Sequence, residues 1–124
     1  MTKVVMACLI IVGLINFIPV IGVLSSQRLE GAYSITLLSN DLIILMRHRA
    51  LLFGVLGGFV LYSAFVKSYQ GAAMLMAGIS MIGFALLVFF VGEYNESIFN
   101  VLIADLVGVT ILLIAVILKY VIKR

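Results

Sequence analysis

The 124-residue chain contains no tryptophan, one cysteine, one proline and one histidine, and only 10% of its residues are charged. Each shortage excludes something. With Cys8 alone, no intramolecular disulfide forms. With His48 alone, bis-histidine haem ligation and a histidine–cysteine zinc site are both ruled out within the chain. A histidine–methionine haem is opposed by the arginines on either side of His48. No serine sits in a Gly-x-Ser-x-Gly elbow, and there is no phosphate-binding glycine loop. No enzyme activity, cofactor or metal is therefore expected. A soluble domain carries about 25% charged residues, so this surface is not built for water.

Apolar side chains are abundant instead, at 65% of the chain. One small core cannot hold so many, and the surplus must face lipid. Four apolar runs, at about 4–24, 42–66, 72–92 and 98–122, are each long enough to cross a hydrocarbon core of about 30 Å. They predict an all-α polytopic membrane protein, a single four-transmembrane-helix bundle over residues 1–124. The first run follows Lys3 as a signal-peptide core would. It is too long for one and lacks an Ala-x-Ala-like site, so it is expected to stay in the membrane as a helix. The net charge of +3 sits at the ends of the apolar runs, which suits a membrane surface and not nucleic acid.

Several local features carry expectations of their own. Pro19 should kink the first helix. Asn16 reads as an interhelical hydrogen bond, with a ligand contact as the alternative. In the connection after the first helix, Leu29, Tyr33 and Leu37 recur every four residues beside Arg28 and Glu30. That pattern predicts a short interfacial helix, or a loop, folded onto the bundle mouth, although Gly31 weakens the helix. Ser39, Asn40 and Asp41 offer an N-cap for the second span. Gly54 and Gly58 form a GxxxG pair, and Ala104 and Gly108 form a second small-residue pair, both suited to close helix packing. Met74, Met76 and Met81 read as packing, not as a metal site.

Four spans put both termini on one side. That side carries Lys3, Lys67, Lys119, Lys123 and Arg124 and no acid. The other carries Arg28, Arg47 and Arg49 with all five acids, Glu30, Asp41, Glu93, Glu96 and Asp105. An excess of lysine and arginine marks the cytoplasmic side, so both termini are expected there.

The stretch Leu45-Met46-Arg47-His48-Arg49-Ala50-Leu51 interrupts the second run with its only charges beyond the first turn. Counted from the run starts, Arg47 lies about 8 Å deep, and Arg49 and Asp105 about 10 Å. A charge at such depth is costly and calls for a partner. The spacing therefore predicts an ion pair between Arg47 or Arg49 and Asp105, with Glu93 and Glu96 at the same polar mouth. The helical wheel favours Arg47, which shares the face of Leu51, Gly54 and Gly58. Depth favours Arg49, because Arg47 can reach the surface. His48, between two arginines, is expected to be structural, or else proton-responsive or anion-binding. Together Arg47, His48, Arg49, Asp105, Glu93, Glu96 and Asn16 form either a structural ion-pair cluster or a site for an anionic lipid, a quinone carbonyl or a small acid.

With these residues in hand, the chain resembles uncharacterised small bacterial inner-membrane proteins of broadly DoxX-like build. The resemblance lies in the four helices, the loop after the first, Arg47-His48-Arg49-Ala50 near the start of the second and Ala104-Asp105 near the start of the fourth. It implies an inner-membrane location and an accessory role beside redox or envelope complexes, and it supplies no reaction. Small multidrug exporters match in length but carry an acid in helix one, where this chain has only Asn16. Small fluoride channels match in length and glycine content but not in motif. The leading expectation is a non-enzymatic accessory, assembly or self-associating bundle with a protein partner or homo-oligomer. The alternative is a small transporter, channel or lipid- or quinone-binding protein using the Arg47/His48/Arg49/Asp105 pocket.

Overall fold

A computed structural model describes residues 2–24, 26–33 and 35–122. Ser25, Lys123, Arg124 and the side chain of Arg28 lie outside the described residues. Helix α1 spans Thr2–Phe17 and continues as a 3-10 stretch, Ile18–Val23. The change of winding sits at Pro19, whose ring has no N–H to offer the α register and clashes with the preceding turn. A short helix α2 follows, Ser26–Tyr33. Helix α3 runs Asn40–Ser63, α4 Gln70–Val91 and α5 Glu96–Val116, the last widening into a π-helical stretch, Ile117–Ile122. Four of these helices are long and apolar enough to cross a membrane.

The helix ends follow local chemistry. Ser39 is extended, and its hydroxyl accepts from Leu42 N–H at 3.1 Å, so α3 starts two residues before the apolar run does. Gly92, at a φ of 69°, lets the α4 chain leave its last turn while its N–H still bonds Val88 O. The Asn95 side chain caps α5 by accepting from Ile98 N–H at 2.8 Å.

The long helices form a ring in which α1 packs on α3, α3 on α4, α4 on α5 and α5 on α1. Its core is small and tightly filled, with Leu9, Val12, Val60, Ala73, Ala77, Met81 and Ala115 almost wholly enclosed. The perimeter is hydrocarbon. Phe89 and Phe90 stand 79% and 75% exposed, an arrangement that only lipid or another helix tolerates.

One mouth of the ring is covered by α2. Leu29, Tyr33 and Leu37 are buried there with Ala50 in a second apolar cluster. The four-residue spacing thus marks a buried stripe, although α2 ends at Tyr33 and Leu37 lies in the non-helical segment beyond it. The Glu30 carboxylate holds that segment by accepting from Leu37 N–H at 2.8 Å. At the opposite mouth, Lys119 Nζ donates to Gln70 Oε1 at 2.8 Å, and the Gln70 amide reaches Ala64 O.

Candidate functional site

The α1–α3 seam is closed by glycine, but not by the expected pair. A Cβ at Gly54 would strike Val20, one at Gly57 the backbone of Phe17, and one at Gly13 would stand 2.7 Å from Leu61 Cγ. A Cβ at Gly58 would meet nothing within 4 Å. The close approach therefore runs through Gly54 and Gly57, because α1 crosses α3 over that edge of the helix. In the second small-residue pair, Gly108 touches Met81 while Ala104 is exposed.

This placement of the seam decides where the two arginines go. Successive helical residues turn by about 100°, so Arg47 and Arg49 leave α3 on nearly opposite sides. Arg47 lies on the α1 side, exposed, with Nη2 3.5 Å from Leu24 O. Arg49 is half-buried and turns toward α4. The wheel-based preference for Arg47 as the inward arginine is thus overturned, because the tight face of α3 passes through Ala50 and Gly57 and leaves Arg47 at its rim.

Arg49 stands nine residues beyond Asn40, about 13 Å along the helix. That is further from the helix start than the sequence spacing gave, because α3 begins two residues before the apolar run. Nη1 donates to Tyr33 Oη at 3.1 Å. The guanidinium lies over three aromatic rings, at 4.6 Å from the Phe53 centroid, 5.4 Å from Tyr33 and 6.0 Å from Phe84. Each such contact is worth about 0.5–2 kcal/mol, more where water is excluded. Among the described residues the Tyr33 hydroxyl is its only hydrogen-bond partner. Arg49 also lines a groove between α3 and α4.

The expected ion pair is not formed. Asp105 is half-buried on α5, nine residues beyond Glu96, and among the described residues no cation comes within ion-pair distance of 4 Å. Arg49 is nevertheless the cation whose field reaches it. The reason for the separation lies in the ring. Helices α3 and α5 are not neighbours in it, and the guanidinium is held over rings from α2, α3 and α4. Glu93, on the α4–α5 turn at a φ of 48°, and Glu96, the first residue of α5, are exposed at the same mouth. Asn16 is buried, with Nδ2 donating to Val12 O at 2.9 Å and approaching Met81 Sδ at 3.7 Å. The first bond stays within α1, only the approach to sulfur on α4 is interhelical, and Asn16 does not line the groove. His48 is exposed on the outer surface of α3 and has no hydrogen bond among the described residues.

The groove has a volume of about 710 Å³ and runs along α3 from Arg49 past Leu52, Phe53 and Leu56 to Phe59. Met76, Ile79 and Ser80 of α4 form its other wall. It falls within the size range of small-molecule sites, about 300–1,000 Å³. Arg49 and Ser80 are its polar side chains. Ser80 differs from Ser63 and Thr110, whose hydroxyls bond back to Val60 O and Leu106 O in their own helices. Among the described residues the Ser80 hydroxyl has no hydrogen bond.

Sequence reasoning missed Tyr33, Phe53, Phe84 and Ser80 as site residues. Phe53, one turn from Arg49, was within reach of an i,i+4 reading. Phe84 and Ser80 come from another helix and left no local signal. Among the described residues no cluster of three or more histidine, cysteine or acidic side chains is placed to hold a metal. No protein-family model, curated protein or solved structure matches the chain.

Proposed function

We propose that this chain is an integral protein of a bacterial inner membrane, of DoxX-like build, with both termini cytoplasmic, that binds an amphiphile without transforming it. One observation carries the reading. Arg49, whose guanidinium has one hydrogen-bond partner among the described residues, lines a largely apolar groove of about 710 Å³. Arginine stays charged and has five N–H donors. A head group that accepts hydrogen bonds would satisfy them, while its chain fills the groove down to Phe59. Lysines at residues 3, 67 and 119 and the acids at the other mouth support the orientation.

Native mass spectrometry after mild, lipid-preserving extraction tests this. The wild type should retain a small amphiphile and Arg49→Ala should lose it. A wild type with no bound species overturns the proposal. Reporter fusions at either terminus check the orientation.

A second reading, an accessory or self-associating bundle, draws on His48. A polar ring on the lipid side of a span is costly unless another helix covers it. Disulfide crosslinking between copies carrying Leu45→Cys reads it directly, and His48→Leu should reduce the crosslink.

A further inference from the structure

Two consecutive residues of α3 each lack what the other supplies. Arg49 carries N–H donors and no acceptor, and among the described residues only Tyr33 takes one of them. His48 is exposed on the outer surface of α3 and has no hydrogen bond among the described residues. Its imidazole, when neutral, accepts at one ring nitrogen. Within one chain the two do not face each other, because neighbouring residues of a helix point about 100° apart.

His48 also stands on the rim of the groove. Leu52 and Val55, four and seven residues further on, share its stripe of α3. Both line the groove and are exposed, as is Ile79 on the opposite wall. The groove is therefore open to lipid on the side that His48 edges.

A membrane restricts how two identical copies can meet there. Both are inserted the same way up, so a two-fold axis relating them runs along the membrane normal. Across such an axis, residues of equal height come together. His48 and Arg49 differ in height by only about 1.5 Å. Rotation about the axis seats each α3 rim over the groove mouth of the other copy. It brings His48 of each copy level with Arg49 of the other. An unrelated helix would have to carry an acceptor at this height, whereas a second copy carries it by symmetry.

We propose that the protein forms a two-fold dimer through α3, in which His48 of each copy accepts a hydrogen bond from Arg49 of the other and the two rims close the lipid-facing side of both grooves. This rests on the self-associating reading of His48 above and gives it a partner and a contact. A guanidinium has five donors, enough for Tyr33, His48 of the second copy and a bound head group together.

The test uses full-length copies labelled at the amino terminus in phosphatidylcholine vesicles. Energy transfer followed as lipid is added gives the dimer dissociation constant. The wild type should dimerise. His48→Leu removes both contacts of a dimer and should weaken it about a hundredfold, at about tenfold for each hydrogen bond. His48→Gln, which keeps an acceptor, should stay close to the wild type. Arg49→Leu should match His48→Leu. The decisive arm mixes these two leucine variants. A pair of one copy of each retains one intact contact, so it should be about tenfold tighter than either variant with itself. A loss of packing within one chain gives no such preference. Circular dichroism confirms that each variant is folded, and if Arg49→Leu is not, the contrast between His48→Leu and His48→Gln decides. A dimer indifferent to His48→Leu, a His48→Gln no better than His48→Leu, or a mixture without preference overturns the contact and leaves self-association through another surface. A monomeric wild type overturns the dimer and the self-associating reading together.

Discussion

Helix α3 has two seams, and they are built in opposite ways. Toward α1 it presents Gly54 and Gly57, and backbone meets side chain or backbone with no room for a methyl group. Toward α4 it presents Leu52, Phe53, Leu56 and Phe59, and the helices stand apart around a groove. Both neighbours are apolar helices in an apolar solvent. Hydrophobic burial therefore does not distinguish the seams, and side-chain size does. Where α3 is trimmed to glycine it seals, and where it carries large rings it holds its neighbour off. The bundle is thus rigid along one edge and open along the other, and Arg49 is on the open edge.

Adding atoms should break the two seams unequally. Gly57→Val puts a branched side chain into the Phe17 backbone and should cost at least about 3 kcal/mol, measured by steric-trap or denaturant unfolding in detergent. Ile79→Trp adds more atoms but places them in the groove. It should shift stability by no more than about 1 kcal/mol while removing the bound amphiphile. A comparable loss of stability in the two variants would abolish the distinction.

A smaller effect sharpens the account of Arg49. No ion pair joins it to Asp105, so a double-mutant cycle with Arg49→Gln and Asp105→Asn should give a coupling below about 1 kcal/mol. A coupling of several kcal/mol would mean the two groups meet directly. The smallest expected change is at Gly58. With nothing within 4 Å of the place an added methyl group would take, Gly58→Ala should stabilise α3 by about 0.5–1 kcal/mol through helix propensity alone, seen as a small rise in Tm.

Much of the architecture was legible because it depends on local pattern. The four apolar runs, the Ser39 cap, an irregularity at Pro19 (expected as a kink, found as a change of winding) and the Leu29-Tyr33-Leu37 stripe each follow from the residues within a few positions of one another. What failed depended on which edge of a helix meets which neighbour. Gly54, Gly57 and Gly58 are equally good candidates in a one-dimensional reading, and the four-residue motif selected Gly58 where the crossing selects Gly57. The same choice of edge turned Arg47 outward and Arg49 toward α4. The Asp105 pairing was inferred from depth alone. Equal depth holds for two helices anywhere in the ring, including the two that stand across it from each other. Ser80 gave no signal, since a serine among apolar residues ordinarily bonds its own helix.

Tyr33 has a consequence for how the protein is assembled. Its hydroxyl accepts from Arg49 in α3, and its carbonyl accepts from Asn95 Nδ2 at 2.7 Å, the same side chain that caps α5. During synthesis α2 emerges long before Asn95 exists. The clasp that seats α2 on the bundle therefore cannot close until the start of the last span has been made and delivered to the same face of the membrane. A chain stalled after α4 would keep residues 24–38 open to proteolysis, and their protection would date the moment at which insertion is finished.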